Sequence, residues 1–391
     1  MSHKYLKAVK KFVSRKMALA RLNTTESQFN KLTVLCNVYP VVADSKNCYD
    51  RVEGWYYLID DIKKIFYSET YQIMMSNTQK LAKREKLLKV EQKDRANKIK
   101  DTEFNFIELV KQKYNSLGSS LEDLGNSLRH LYLINMLEID DVSEDLKNFE
   151  NFVMEKKLLN KGFLSKKGIY FAFNIEKVMV VWMVPYPGYC LNEYVEEKKE
   201  ILPKAQVNEF DFLDFGSFEE SESEEIKECP NPNDDNKFDI ALLKYSSPLL
   251  KIHLKLVLHK LSLILSSSSV SKNGIFKNKK FFIDVNGIKP WISFVISSCD
   301  GEITSKDEAN FIITEIVEII EPNKYYIQPQ FIFDCLNQNT LLPIDQYLVG
   351  VDLPAHISPF PNVLDTIDER ALKLLSNKKK YAILDRVESL N

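Results

Sequence analysis

Tyr326-Ile327-Gln328-Pro329-Gln330-Phe331-Ile332-Phe333-Asp334-Cys335, running on through Leu341-Leu342-Pro343 to Leu353-Pro354-Ala355-His356-Ile357-Ser358-Pro359-Phe360, decides how the C-terminal part of this chain folds. Tyr325-Tyr326-Ile327 is a short β-branched and aromatic run, which favours a strand. Pro329 has the fixed φ that opens a helix and lacks an N–H that the first turn could not bond anyway. In that helix Phe331 and Cys335 stand four residues apart on one face, with Ile332 and Leu336 beside them.

Upstream, the same alternation continues. Phe281-Phe282-Ile283 reads as a strand after the polar Lys279-Lys280. Pro290 opens a helix in which Trp291, Phe294, Val295 and Ser298 suit one face. Asp300-Gly301 is a tight stop before the strand Glu302-Ile303-Thr304, and Phe311-Ile312-Ile313 is a further strand. Strands alternating with helices imply a small parallel sheet covered by helices.

This order resembles a BRCT module. Phe331 stands where such modules usually carry Trp, and Cys335 matches the small residue four positions on. The resemblance implies a core of Phe331, Cys335 and Trp291. The string Gln328 to Phe360 resembles the Pescadillo family specifically. The segment between Glu302 and Tyr325 is short, so a full second BRCT helix hardly fits.

The N-terminal part reads as mainly helical. Trp55, Leu58, Ile59, Ile62, Ile65 and Phe66 recur at helical spacing, as do Leu117, Leu121, Leu124, Leu128 and Leu131. Lys80 to Lys100, rich in Lys and Glu, is expected to be a long exposed helix, either solvated or facing RNA. Gly168–Phe173 and Val178–Met183 flank a polar turn at Asn174–Lys177 and predict a hairpin closed by Pro185 and Pro187. Residues 248–265 alternate partly as a strand, but Pro248 and the length favour a buried helix. Ser266–Ser269 reads as a linker. Leu35-Cys36-Asn37-Val38-Tyr39-Pro40, Trp55 to Ile62, and Phe163 to Tyr170 with Val181 to Tyr186 also resemble Pescadillo elements. The family's lysine-rich loop after the tyrosine-proline is nearly neutral here, Asp44 to Arg51.

The fold class expected is α+β and multidomain: a mainly helical N-terminal domain with a β-hairpin, then an α/β BRCT module. Its layout is a Pescadillo-type domain over residues 1–206, an acidic disordered insert over 207–237, a helix and Ser-rich linker over 238–272 completing the first domain, the BRCT domain over 273–360 and a tail over 361–391.

Charge is segregated although the net is only −2. Residues 1–21 hold seven Lys/Arg (Lys4, Lys7, Lys10, Lys11, Arg15, Lys16, Arg21) and no Asp/Glu, a candidate RNA contact. Residues 193–235 hold fifteen Asp/Glu against four Lys, too polar a run to bury a core. The six Cys lie at 36, 48, 190, 229, 299 and 335 with no C-x-x-C, which argues against a zinc site or disulfide framework. The best apolar run, Leu249–Leu265, is broken by Lys251, His253, Lys255, His259 and Lys260, so no membrane span is expected. The basic N-terminus lacks the apolar core of a signal peptide.

Catalytic patterns are missing: no phosphate-cradling glycine loop and no Gly-x-Ser-x-Gly elbow occur. Asp60-Asp61 and Asp140-Asp141 diverge on a helix, and His253 and His259 miss the zinc-holding i, i+4 spacing. No catalytic residue, cofactor, metal or small-molecule substrate is expected. Phosphate-reading BRCT domains carry Ser/Thr-Gly after the first strand, whereas Asn286 precedes Gly287 here. The Pescadillo resemblance implies a nuclear factor, nucleolar and nucleoplasmic, for maturing large-subunit rRNA precursors. The implied partners are a block-of-proliferation-type WD40 protein, a second WD40 protein in a PeBoW-like complex, precursor rRNA and pre-ribosomal proteins. The competing expectation is a BRCT phosphoprotein adaptor in DNA repair or replication.

Overall fold

The computed structural model describes residues 11–41, 56–165, 167–175, 177–186, 240–266, 274–316, 321–354 and 358–360. Its contacts divide the chain into two units, each made of two stretches: Met1–Asn148 with Pro185–Ile264, and Phe149–Val184 with Leu265–Asn391. The acidic run at 207–237, Ser267–Ser269 and the tail at 361–391 lie outside the described residues.

The first unit is helical except for β1 (Phe12–Ser14), which pairs antiparallel with β2 (Tyr56–Leu58). Its helices are α1 (Arg15–Leu22), α2 (Glu26–Leu35), α3 (Ile59–Tyr67), α4 (Glu69–Lys89), α5 (Lys93–Asn97), α6 (Phe106–Lys113), α7 (Leu117–Met136), α8 (Ser143–Glu155), in which the boundary between units falls, and α9 (Ile240–Leu265). Local chemistry sets several starts. Ser14 Oγ accepts from Met17 N at 3.3 Å, and Ser68 Oγ accepts from Tyr71 N at 3.1 Å. Thr25 and Gln28 close a reciprocal capping box on α2. Phe29, Leu32, Ile62 and Ile65 form the centre of the first core, with Phe29 edge-on to Tyr57 at 5.1 Å. Leu121, Leu124, Leu128 and Leu131 bury the predicted face of α7.

Three local expectations change. The helix expected through Trp55 starts at Ile59, because Tyr56–Leu58 is drawn into pairing with β1 and Leu58 is left exposed. Trp55 itself lies outside the described residues. Lys80–Lys100 is not one helix: α4 ends at Lys89, Glu91 turns left-handed (φ 58°), and α5 follows. Pro248 does not open α9 but lies inside it. Leu250, His253, Leu254, Val257 and Leu261 are the buried face there, a helical rather than a strand periodicity.

The second unit holds two sheets. β3 (Leu159–Leu164), β4 (Gly168–Ile175) and β5 (Val178–Pro185) form one, in that order. The hairpin strands thus extend beyond the expected turn residue Asn174, and β3 adds a third strand. The other sheet is β6 (Lys280–Asp284), β7 (Glu302–Ile303), β8 (Phe311–Thr314) and β9 (Tyr325–Ile327), ordered β7-β6-β8-β9 with every pair parallel. α10 (Lys289–Ser298) and α11 (Gln330–Gln338) accompany it. Among the described residues no helix lies between β8 and β9, and residues 317–320 are outside them. At the stop after α10 the left-handed residue is Asp300 (φ 64°). Gly301 is needed for room instead, since a Cβ there would lie 2.5 Å from Ile296 Cγ2.

The layout placed residues 149–184 with the N-terminal domain, whereas they pack within the second unit. Phe171 of β4 sits edge-on to Phe294 of α10 at 5.4 Å and 6.4 Å from Phe333 of α11. The Asn337 amide donates to Gly162 O at 2.8 Å and accepts from Gly162 N at 3.0 Å. A three-stranded sheet must bury one face, and α10 and α11 supply the apolar surface.

Candidate functional site

Among the described residues of the basic head, Lys11, Arg15, Lys16 and Arg21 do not share one exposed surface. Lys11 and Lys16 are exposed. Arg15 is engaged by Glu26 at 2.6 Å and by Asn30 Oδ1 at 2.7 Å. Arg21 is only 4% exposed, because it follows Ala18 by three residues and shares its inward face with Leu22. Arg21 is therefore removed from the candidate RNA contacts. Lys4, Lys7 and Lys10 lie outside the described residues, as do Asp44 to Arg51.

Sequence reading did not find a cleft of about 950 Å³ in the first unit. The end of α2, the start of α4, α6, α7 and α9 wall it, with Leu109, Leu243 and Leu250 beside Lys113, Asp123 and His130. Lys113 Nζ lies 2.8 Å from Asp123 Oδ2, and Tyr114 donates to the same oxygen. Burial opposes the Lys113 charge, but its bonds to Asp123 and Tyr114 raise its pKa above the usual lysine range. Tyr114 is pushed up to about 12, by burial first and by its bond to Asp123. His253 stacks on Tyr114 at 4.2 Å and bonds Ser120 Oγ (2.8 Å) through Nε2 and Ser127 Oγ (2.9 Å) through Nδ1. Burial lowers its pKa to about 4, so it is neutral at physiological pH. These groups satisfy one another, which suits a shaped recognition cleft. The contacts join α6 and α7 to His253 of α9, 126–133 residues beyond Ser127 and Ser120 of α7, so no local motif announced them.

In the second unit Phe331 and Cys335 are fully buried, and Phe331 meets Tyr347 edge-on at 5.4 Å. Trp291 is only half-buried: it stands in the first turn of α10, at the margin of the core. Burial pushes the Cys335 thiol up to about 12, so it is a packing residue rather than a nucleophile. Where a phosphate-reading site would lie, β6 ends in the exposed carboxylate Asp284 and Gly287 takes φ 77° in an open turn. Pro354 and residues 358–360 lie against the unit: Gln330 Nε2 donates to Pro354 O at 2.8 Å and Lys161 Nζ to Pro359 O at 2.8 Å, with Phe360 6.2 Å from the Tyr170 ring.

Residues 2–202 match the family described as Pescadillo N-terminus. This chain belongs to the Pescadillo family. Residues 274–348 match the BRCT domain, the segment that builds the parallel sheet and its two helices. The Pescadillo homolog of Caenorhabditis elegans is 24% identical over 409 residues, spanning 89% of this chain and 74% of its own. That of Nematostella vectensis is 24% identical over 421 residues, spanning 90% and 80%. Among solved structures, the C-terminal BRCT domain of human XRCC1 is 22% identical at a TM-score of 0.19, covering 20% of this chain and 96% of that one. The family boundary at residue 202 and the compact units divide the chain differently, since Phe149–Val184 belongs to the former by sequence and to the BRCT-containing unit by packing.

Proposed function

We propose that this chain is a non-enzymatic assembly factor of the large ribosomal subunit that supports maturation of the large-subunit rRNA precursor. In this reading it acts in the nucleolus and nucleoplasm. It works in a complex with a block-of-proliferation-type WD40 protein and a second WD40 protein, carried on precursor RNA with pre-ribosomal proteins. One observation carries the reading: a Pescadillo N-terminus and a BRCT domain occur in order in a single chain. A scaffold role is supported by groups satisfied within the fold, such as Lys113–Tyr114–Asp123 and the buried Cys335.

The test is sedimentation of the tagged full chain from a cell lysate. The expected result is migration with large pre-ribosomal particles, lost on RNase treatment, and accumulation of large-subunit rRNA precursor on depletion. A chain confined to light fractions, with normal rRNA processing after depletion, overturns the reading.

A further inference from the structure

We infer that the exposed lysines of α4 and α5, rather than Lys11 and Lys16 of the basic head, form the surface on which this chain meets the phosphate backbone of RNA. Residues 80–100 carry nine Lys/Arg against three Asp/Glu, an imbalance that i, i+4 pairing within a solvated helix cannot neutralise. Three of the cations have local work, Arg95 by donating to Gln92 Oε1 at 3.2 Å. Arg84 is tied to Asp101 at 3.2 Å and Lys80 to Thr102 Oγ1 at 2.6 Å, which anchors the returning chain along α4.

Lys83, Lys86, Lys89 and Lys93 are different. All four are exposed, and among the described residues none of them enters an ion pair. On α4 they recur every third residue, roughly 4.5 Å apart along the axis. The left-handed Glu91 and the bond from Gln92 N to Leu87 O (3.0 Å) then turn the chain so that Lys93 begins α5. Lys98 and Lys100, also exposed, continue the basic run beyond α5. Helix-dipole compensation accounts for Lys86 and Lys89 in the last turn but not for Lys83, Lys93, Lys98 or Lys100.

Flexible ammonium groups recognise charge rather than base identity, and phosphate contacts position a polymer without reading its sequence. The surface therefore fits a polyanion of repeating phosphates. That the polymer is RNA rests on the pre-ribosomal reading.

The test is fluorescence anisotropy of the full chain with a mixed-sequence single-stranded RNA of about 20 nucleotides, across about 50–200 mM salt. In K83E/K86E/K89E/K93E the plot of log affinity against log salt should be shallower by roughly 2–3, at about 0.7 per lost phosphate contact, with at least about a tenfold loss at the higher salt. K11E/K16E should leave the slope unchanged. The same lysines replaced by Gln should move both readouts in the same direction, so a misfolded reversal variant cannot decide the matter. An unchanged slope in the α4–α5 variants, a fall confined to the head variant, or polyglutamate competing as well as RNA overturns the inference. Wild-type chain that sediments with pre-ribosomal particles yet fails to bind RNA overturns this surface and leaves the functional reading standing. A chain that binds RNA through α4–α5 yet sediments free does the reverse.

Discussion

Replacing Asn337 by Ala should loosen the second unit more than an ordinary polar substitution. Its amide spans Gly162, donating to the carbonyl at 2.8 Å and accepting the N–H at 3.0 Å. Gly162 is buried, and a Cβ there would lie 2.9 Å from Phe333 Cδ1, so α11 packs on the bare backbone of β3. Truncation leaves a buried donor and a buried acceptor unpaired, each costing about 1–3 kcal/mol. The expected loss is roughly 2–6 kcal/mol. With a urea dependence of about 2 kcal/mol per molar, the midpoint should fall by roughly 1–3 M. Trp182 and Trp291 both lie in this unit, so in a Trp55→Phe background tryptophan fluorescence reports its unfolding alone. Gln338→Ala, next along the helix but exposed, is the control and should stay within about 0.5 kcal/mol. If Asn337→Ala matches that control, the clamp contributes nothing and the argument from unpaired buried groups fails.

Phe331→Ala should cost about 3–5 kcal/mol, since a fully buried ring packed on Tyr347 is lost, and a melting temperature equal to wild type would place Phe331 outside the core. His253, whose folded pKa lies near 4, is neutral where an unfolded histidine already binds a proton. Stability of the first unit should therefore fall as pH drops below about 6.5 and level off near 4, by roughly 3 kcal/mol in all. In His253→Gln that part of the pH dependence should vanish, and an unaltered stability–pH curve would contradict it. The BRCT surface should bind phosphorylated and unphosphorylated forms of a peptide library equally weakly, because Asp284 and the open Gly287 turn offer no hydroxyl for a phosphate. A peptide held about tenfold tighter when phosphorylated, roughly 1.4 kcal/mol, would revive the adaptor alternative.

The BRCT sheet was readable because its strands and helices are set by local signals. Phe281–Ile283, Phe311–Ile313, Tyr325–Ile327 and the helix after Pro329 all occur near their expected bounds. What lay beyond sequence was the choice of packing partner. The Gly168–Val181 pattern announced strands, but alternation says only that a face is buried, not that Phe171 meets Phe294 and Phe333. Pro248 looked like a helix start because propensity favours it there. Ser247 to Asp140 at 2.6 Å and Lys251 to Asp140 at 2.8 Å join the helix to a distant turn on both sides of the proline. Arg21 was read by charge, while its three-residue step from Ala18 already pointed inward. The cleft at Lys113, Tyr114, Asp123 and His253 depends on three helices meeting, which no window of sequence contains.

Because Phe149–Val184 completes a unit whose remaining residues follow Leu265, the order of synthesis matters. At about 5–20 residues per second, Phe171 would wait roughly 8–30 s on the ribosome before Phe333 is made. Meanwhile the first unit receives its last stretch, Pro185–Ile264, and can close around its own core. During that interval β3–β5 carry Phe171, Phe173 and Trp182 with no α10 or α11 to cover them, a nascent surface suited to chaperone capture. A stop anywhere between the two halves would strand those aromatics permanently, so α11 is also the release signal for strands translated long before it.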